Sequence, residues 1–478
     1  MELLDLKACE IPGLVKDKKV KALDITNAYL KHIEENDETL NAYITVTKQL
    51  ALEQAKNVDA KVESGEDPGV LAGIPISLKD NISLKDVKMT CGSKMLEDYI
   101  SPYDSKVAEI IKREGGIILG KVNLDEFAMG ADTKTSYFGV TKNPLDPTRV
   151  AGGSSGGSAS SVAGKEAILS VGTDTGGSVR QPSAFCGTVG MKPTYGSISR
   201  YGISPMANTF DTPGVIGRSV EDVLLLLQTL VGKDSHDATS LGNEALKELT
   251  LEDDVHLKGL KFALPSLYKN QELDEPIQES FDRVLALLEK SGAKVDIVEM
   301  DSLKYVIETY HILVNGEIAP NMSRFDGLRF GHRTKEYTTL EEMYMKSRSE
   351  AFGDEVKRRI MIGTHILSLD LSSEYYEKAL KVRTMIRKEF ETIFKDYDFV
   401  LSPTYPVIPY KVEEEMSPVE IYVADLFTVP VNLGNLCGIS IPVENNSSLP
   451  GGVQIIGNHF KDHEVIKAAF AIERSLQQ

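Results

Sequence analysis

The sequence predicts an α/β protein in which helices cover parallel strands, and one segment indicates this most clearly. Residues 259–264 form a short, largely apolar run that is followed by Pro265, and residues 295–298 form a second such run. Between them, apolar side chains recur at helical spacing, with Pro276 near the start of the predicted helix and Gly292 just past its end. A strand, a helix and a second strand in this order form a βαβ unit, whose strands are parallel.

Helices are also predicted near both ends of the chain. In the N-terminal region, about residues 1–65, apolar residues recur every three or four positions between 22 and 33. A similar apolar face runs through residues 465–476, and Asp462 is the predicted N-cap of that helix. The polar and acidic stretch 232–258 is either a linker between domains or a surface excursion within one domain.

The composition excludes several classes of function. The 478 residues carry 53 Lys and Arg against 71 Asp and Glu, a formal net charge of −18. Such a chain has no general electrostatic attraction for nucleic acid or an anionic membrane, so contact with RNA would need a local basic patch or a more basic partner. No apolar run approaches the ~20 residues of a membrane helix. The four cysteines are far apart, which favours a reducing, cytoplasmic location over a disulfide framework.

The dominant feature is a region rich in glycine and serine. Ten of the 14 residues 151–164 are Gly or Ser, and an apolar run at 167–171 separates them from a second such segment, 172–180. A flexible linker can have this composition, but the run between the segments is typical of a buried strand. Because glycine lets backbone N–H groups approach a ligand, the pattern indicates two loops that meet at a site.

Three motifs compete to explain this site. Residues 115–121 match most of a phosphate-binding loop, but Val122 stands where a Mg²⁺-binding Ser or Thr is required. Residues 152–156 match the nucleophile elbow of a Ser-His-Asp hydrolase, yet a turn-like segment precedes them, and no His lies between His32 and His236. The third motif, a Ser-Ser-Lys site, rests on longer matches.

These longer matches resemble the amidase signature family. Residues 152–158 and 172–187 are similar to its signature, with Ser154 and Ser178 separated by 24 positions, and residues 73–81 look like its lysine segment. Within the family, the resemblance is closest to the glutaminase subunits of tRNA-dependent amidotransferases, and it covers essentially the whole chain. It is carried there by residues 121–130, 323–327, 355–363, 422–425 and 428–432.

The resemblance implies a fold and a division of the chain. The expected core is one large, mostly parallel mixed β-sheet with helices on both faces. The chain is expected to form a single domain over residues 1–478, with 232–258 as a surface excursion.

The resemblance also implies a catalytic mechanism. Ser178 is the expected nucleophile that forms an acyl-enzyme, and Ser154 passes the proton between Ser178 and the base Lys79. Lysine acts as a base only when it is neutral, and Lys79 follows the apolar segment 74–78, whose burial would lower its pKa. The expected oxyanion hole consists of backbone N–H groups around Thr175, Gly176 and Gly177.

The expected substrate is free glutamine, whose α-carboxylate and α-ammonium each need an opposite charge when they are buried. The resemblance assigns these roles to Arg358 and Asp425, although Arg359 lies next to the chosen arginine. No metal ligand is expected in the site.

The implied function is to supply ammonia within a larger assembly. The expected partners are the amidotransferase B and C subunits, which bind most of the tRNA and use ATP and Mg²⁺, while this chain itself holds no cofactor and contacts no membrane. Two other functions stay open: a stand-alone amidase for another small amide, and a catalytically silent subunit with the same fold.

Overall fold

An eleven-stranded mixed β-sheet forms the centre of the computed structural model, which describes residues 2–251, 256–369 and 371–477. The described strands, of which all but β4 and β5 belong to this sheet, are β1 (Tyr43–Val46), β2 (Pro75–Lys79), β3 (Ile117–Val122), β4 (Lys142–Asn143), β5 (Asp146–Val150), β6 (Leu169–Asp174), β7 (Val189–Lys192), β8 (Thr212–Gly217), β9 (Lys261–Pro265), β10 (Lys294–Val298), β11 (Phe399–Pro403), β12 (Cys437–Val443) and β13 (Gly451–Gly457). The order in the sheet is β1-β3-β2-β6-β8-β7-β12-β13-β11-β9-β10, and β4 pairs with β5 separately.

Helices pack around this sheet. They are α1 (Ile11–Lys16), α2 (Ala22–Leu40), α3 (Lys48–Ser64), α4 (Lys106–Arg113), α5 (Gly156–Ala163), α6 (Arg180–Cys186), α7 (Val220–Leu230), α8 (Glu244–Lys247), α9 (Ser266–Lys269), α10 (Glu275–Lys290), α11 (Val306–Met322), α12 (Leu340–Ala351), α13 (Asp354–Ile366), α14 (Tyr376–Ile393), α15 (Pro418–Ala424), α16 (Val429–Leu433) and α17 (Asp462–Leu476). Within the described residues, no helix is both long enough and apolar enough to cross a membrane.

The predicted α/β class and mixed sheet are confirmed, but the prediction of mostly parallel strands is wrong. Among the described strands, four of the ten neighbouring pairs in the large sheet are parallel and six are antiparallel. The βαβ unit from which parallel strands were inferred lies at one edge of the sheet. Near the centre, a short loop joins the neighbours β12 and β13, and a loop of that length can join only antiparallel strands.

The βαβ unit itself is confirmed. Strands β9 and β10 pair in parallel register from Lys261 with Lys294 to Pro265 with Val298. Between them α10 has Pro276 in its first turn and buries an apolar face against the sheet. The N-terminal helix prediction also holds, since α2 buries its apolar residues between 22 and 33.

The predicted N-cap of the last helix is wrong. Asp462 is the first residue of α17, and its carboxylate accepts hydrogen bonds from the backbone N–H and the hydroxyl of Thr194, each at 2.7 Å. The side chain therefore stabilises a loop after β7 instead of the first turn of its own helix.

Described residues of the stretch 232–258 contact the rest of the protein. Asp234 accepts a hydrogen bond from the Ser199 hydroxyl at 2.7 Å, Asp237 accepts one from the Arg200 backbone N–H at 2.8 Å, and Leu246 is buried. Residues 252–255 of this stretch lie outside the described residues. The single-domain organisation stays a prediction that these contacts favour.

The sheet places the ends of two buried parallel strands side by side. Strands β2 and β6 pair in parallel, with Ile76 opposite Leu169 and Leu78 opposite Val171, and every residue of both strands is buried. Because parallel strands end at the same edge of a sheet, Lys79 at the end of β2 lies beside the loop that follows β6.

A buried carboxyl group near this sheet predicts how stability depends on pH. Glu166 is fully buried, and burial together with the charge of Asp37 and a hydrogen bond to it raises the pKa of Glu166 to about 9. The unfolded chain ionises Glu166 near its ordinary pKa of 4.5, while the folded chain keeps the proton. The free energy of unfolding therefore falls as the pH rises from about 4.5 towards 9.

We expect Glu166→Gln to raise the free energy of unfolding by about 2 kcal/mol or more at pH 8 and to change it little at pH 4. The amide stays neutral at every pH and can donate to Asp37. Thermal unfolding across this pH range checks the prediction, with Glu53→Gln, at an exposed position, as the control. An equal effect at both pH values would contradict it.

Candidate active site

The two glycine- and serine-rich loops meet at the end of β2, as predicted from the sequence. The backbone N–H of Ser155 donates to the carbonyl of Ser178 at 3.1 Å, which joins the loops directly. Lys79 reaches the same point from the strand: its Nζ donates to Ser154 Oγ at 2.8 Å and to Ser155 Oγ at 2.9 Å. It also donates to Thr173 Oγ1 at 3.0 Å. Among the residues that the structure describes, the ammonium group thus donates to neutral oxygens only.

Lys79 is poised to act as a base near neutral pH. The side chain is completely buried, and the loss of hydration lowers its pKa to about 7. The charges of Asp125, Asp174 and Asp211 oppose this shift and keep the pKa from falling further. A substantial fraction of Lys79 is therefore neutral at physiological pH.

The loop that carries Ser154 is closely enclosed. Gly152 has φ +85°, which favours glycine, and the N–H of Gly153 donates to Gln181 Oε1 at 2.9 Å. The carboxylate of Asp125 lies where a side chain at Gly153 would project, and the Asp125 N–H donates to the carbonyl of Ser154 at 3.3 Å. The peptide bond between Gly153 and Ser154 is cis. These contacts hold the Ser154 hydroxyl against Lys79.

A buried ion pair holds the turn that carries Ser178, between β6 and α6. Arg180 donates from Nε to Asp174 Oδ2 at 3.0 Å and from Nη2 to Oδ1 at 2.9 Å. Its guanidinium also donates to Gln454 at 2.6 Å and to Asn432 at 2.7 Å. Burial opposes ionisation of Asp174, but Arg180 outweighs it and holds the pKa well below its usual range. Both charges are fully paired, which is what such a buried pair requires.

The predicted oxyanion hole is only partly available. The N–H of Gly177 donates to Asp174 Oδ1 at 3.0 Å, so this donor is already used. Among the described residues, the N–H groups of Gly176 and Ser178 have no acceptor, and both residues line the cavity into which Ser178 opens. Thr175 is not part of the cavity wall, and its hydroxyl donates to Asp211 at 2.7 Å. The structure therefore favours the amides of Gly176 and Ser178 over that of Gly177.

Two glycines in this turn are required by close packing. Gly177 has φ +131°, and a side chain there would collide with Thr428. A side chain at Gly176 would collide with the hydroxyl end of Tyr310. The turn can therefore pack this closely against Tyr310 and Thr428 only because neither position carries a Cβ.

Ser178 is half-buried and opens into a small cavity. Part of the cavity wall comes from residues 128–131 and from the two glycine-rich loops. The rest comes from the loop before β8, from α6, α11 and α13, and from the segment that contains α15; the largest side chains of the wall are Met206, Tyr310, His311, Arg359, Tyr422 and Asp425.

The structure places Arg359, and not the predicted Arg358, in this cavity. Arg359 is 6% exposed and lines the wall, whereas the side chain of Arg358 is 42% exposed and pairs with Glu355 on the surface of α13. Consecutive residues of a helix point about 100° apart, so only one of the two can face the cavity. The buried stripe of α13 is Val356, Arg359, Gly363 and Ile366. This helical spacing is visible in the sequence and could have identified Arg359.

Arg359 and Asp425 line the same cavity and are groups of opposite charge. The Arg359 Nε donates to Glu355 at 2.7 Å, and within the described residues its Nη1 and Nη2 donate to no protein acceptor. Burial opposes the charge of Arg359, but Glu355 outweighs it and keeps the pKa above its usual range. Burial raises the pKa of Asp425 to about 7, and Arg359 and Arg180 moderate the increase. A bound cation would favour the ionised form of Asp425 further.

Comparison with known proteins identifies the family. The amidase family model matches residues 24–466. The chain belongs to the amidase family. A curated relative from Clostridium botulinum (strain Kyoto / Type A2), named as the A subunit of glutamyl-tRNA(Gln) amidotransferase, is 45% identical over all of this chain and 98% of its own length.

Solved amidase structures share the fold. The crystal structure of the glutamyl-tRNA(Gln) amidotransferase A subunit from Thermotoga maritima is 36% identical, with a TM-score of 0.82 over 99% of this chain and 95% of that one. The peptide amidase from Stenotrophomonas maltophilia is 24% identical and has a TM-score of 0.81 over 99% of this chain and 97% of that one. The predicted resemblance to the amidase signature family is thereby confirmed.

The competing motifs do not describe this amidase. Residues 117–121 of the phosphate-loop match lie in β3, and Lys121 is buried in an ion pair with Asp80 at 2.8 Å. The hydroxyl of Ser154 contacts Lys79 and not a histidine. His311 does line the cavity, but its Nε2 is buried without a partner within the described residues, and burial lowers its pKa to about 3.

Sequence reasoning missed several residues that shape the amidase site. Arg180 and Tyr422 lie inside motifs that carried the resemblance, so their positions could have been included. Tyr310 and His311 stand in a helix whose sequence carries no local signal of a site. Asp125 is also within a quoted motif, yet its position beneath Gly153 depends on how two distant loops pack.

Proposed function

We propose that this amidase is the glutaminase subunit of a tRNA-dependent amidotransferase. The observation that carries the proposal is the pair of opposite charges, Arg359 and Asp425, in the wall of the cavity that contains Ser178. Free glutamine has a carboxylate and an ammonium on one carbon and an amide at the other end. It can place each group against a complementary partner without leaving a buried charge unpaired.

The proposed reaction begins with proton transfer from Ser178 through Ser154 to neutral Lys79. Ser178 Oγ then bonds to the side-chain carbonyl carbon of glutamine, and the N–H groups of Gly176 and Ser178 stabilise the oxyanion. As the C–N bond breaks, the proton returns through Ser154 to the nitrogen, and ammonia leaves. Water then attacks the glutamyl ester and gives a proton through Ser154 to Lys79. The ester C–O bond breaks, the proton returns through Ser154 to Ser178 Oγ, and glutamate is released.

The ammonia is proposed to reach a partner subunit that uses ATP and Mg²⁺ to amidate glutamate on tRNA(Gln). The full-length relatives bear the name of an amidotransferase A subunit, which supports B and C subunits as partners. The net charge of −18 supports an arrangement in which the partners supply most of the surface for tRNA. ATP, Mg²⁺ and tRNA are therefore assigned to the complex, in the cytoplasm, and not to this chain.

The test is to assay the full-length chain alone and together with its B and C partners. The proposal predicts release of glutamate and ammonia from glutamine, and conversion of Glu-tRNA(Gln) to Gln-tRNA(Gln) only when the partners, ATP and Mg²⁺ are present. Activity toward another small amide but not toward glutamine would favour the stand-alone amidase. The absence of any hydrolysis in the complete assembly would favour the silent subunit.

Asp425→Ala is expected to raise the KM for glutamine by about 10–100-fold and to change kcat less. The substitution leaves the substrate ammonium without its counter-charge in a largely dehydrated cavity. Steady-state kinetics check this result, with Glu413→Ala, at an exposed position in the preceding segment, as the control. Unchanged glutamine kinetics in the Asp425 variant would remove this residue from the site.

A further inference from the structure

One carboxylate beside the cavity has no part in the proposed chemistry. Glu355 lies in the first turn of α13, and its Oε1 accepts a hydrogen bond from Arg359 Nε at 2.7 Å and another from Tyr422 Oη at 2.8 Å. Its Oε2 accepts from Arg358. The Glu355 side chain is 13% exposed, so these contacts are largely shielded from water. Glu355 thus connects two residues of the cavity wall that come from different helices.

These contacts determine how Arg359 presents its guanidinium. Glu355 engages the Nε of Arg359, and the Tyr422 ring lies 5.6 Å from the guanidinium carbon. Within the described residues, Nη1 and Nη2 have no protein acceptor. Two parallel N–H groups on a planar guanidinium match the geometry of a carboxylate, but only if the plane is held in the correct orientation.

Glu355 is ionised beside Arg359. Burial opposes ionisation of Glu355, but the adjacent Arg359 and the hydrogen bonds hold its pKa below the usual range. Arg358 also pairs with Glu355, but its side chain is 42% exposed, so water screens that contact. The buried partner of Glu355 is therefore Arg359.

We propose that Glu355 is a positioning residue that sets the affinity for the carboxylate of the substrate by fixing the Arg359 guanidinium. This inference rests on the proposed function, because it assumes an amino-acid substrate. Glu355 touches neither the reacting atoms nor the triad, so its removal affects binding and leaves the chemical step nearly unchanged.

The experiment measures glutamine hydrolysis by the full-length protein, with its partners if activity requires them. We expect Glu355→Ala to raise the KM for glutamine about tenfold or more, while kcat stays within about twofold, as expected for losing hydrogen bonds to a charged group. Glu355→Gln keeps a carbonyl oxygen that can accept from Arg359 Nε and from Tyr422. The KM of this variant is expected to lie between those of the wild type and Glu355→Ala. The matched control is Arg358→Ala, which removes the exposed partner of Glu355 and is expected to change KM little.

A second comparison shows whether Glu355 acts through Arg359. In an Arg359→Ala background, where there is no guanidinium to position, adding Glu355→Ala is expected to leave kcat/KM unchanged. Three results would each overturn the inference: an unchanged KM in Glu355→Ala, a loss of kcat as large as the rise in KM, or the same effect with and without Arg359. A lower KM would mean that Glu355 mainly repels the substrate. If the wild-type protein did not hydrolyse glutamine, the proposed function itself would fail.

Discussion

Ser178→Ala should lower glutamine hydrolysis by roughly 10⁴-fold or more, because the proposed mechanism forms the acyl-enzyme on the Ser178 hydroxyl. The Ser178 side chain makes no hydrogen bond that holds the fold within the described residues, while its turn is held by the ion pair between Asp174 and Arg180. The variant should therefore unfold at nearly the wild-type temperature. Initial rates of glutamate release, together with thermal unfolding, check both expectations.

The control for this substitution comes from the same serine-rich region. Ser158 is buried in α5, and its hydroxyl has no hydrogen-bond partner within the described residues, so Ser158→Ala removes a serine without breaking a contact. It should keep near wild-type activity. Normal hydrolysis by Ser178→Ala would assign the nucleophile to another residue, with Ser154 and Ser155 as the first candidates.

Substitution of Lys79 is expected to have the second large effect. Lys79→Ala should lower kcat/KM by roughly 10²–10⁴-fold, the usual contribution of a general base. Lys79→Arg should be as impaired, because arginine stays protonated at every accessible pH. Wild-type rates at neutral pH in either variant would show that another group takes the proton.

The pH dependence of kcat/KM is a second test of Lys79 as the base. Because Lys79 must be neutral to accept a proton and its pKa is about 7, kcat/KM should fall as the pH is lowered through 7. Asp125 and Asp425 also have pKa values raised to about 7 by burial, so the group whose titration lowers kcat/KM must be identified. The pKa of an amine falls markedly on warming, whereas that of a carboxylic acid hardly changes. Profiles at two temperatures therefore identify the group, and a limb that does not move would contradict the lysine.

The parts of the site that the sequence predicted are those with local causes. Lys79 ends a wholly buried strand, and the glycines around Ser154 and Ser178 allow close backbone approach, so contiguous motifs were sufficient to predict that Lys79 and the two loops meet. The occupied N–H of Gly177 could not be predicted in this way. It depends on the orientation that the ion pair with Arg180 gives to the Asp174 carboxylate.

The parts that sequence reasoning got wrong depend on packing between distant elements. Which of Arg358 and Arg359 faces the cavity follows from the orientation of α13, which is set where Gly363 packs against the backbone of Asn315 in α11. The direction of the strands depends on chain connections far from the βαβ unit. One clear βαβ unit was sufficient to predict the α/β class but not the direction of the strands elsewhere in the sheet.

The most direct test of the account is to locate the covalent intermediate. Wild-type protein mixed with glutamine is quenched with acid within the first turnover and digested with trypsin, which cleaves after Arg149, Lys165 and Arg180. Ser154 and Ser155 then fall in one peptide and Ser178 in the next, so mass spectrometry separates them. The account predicts a glutamyl ester in the peptide that contains Ser178, and none in the Ser178→Ala protein. A glutamyl ester in the peptide that contains Ser154 would contradict it.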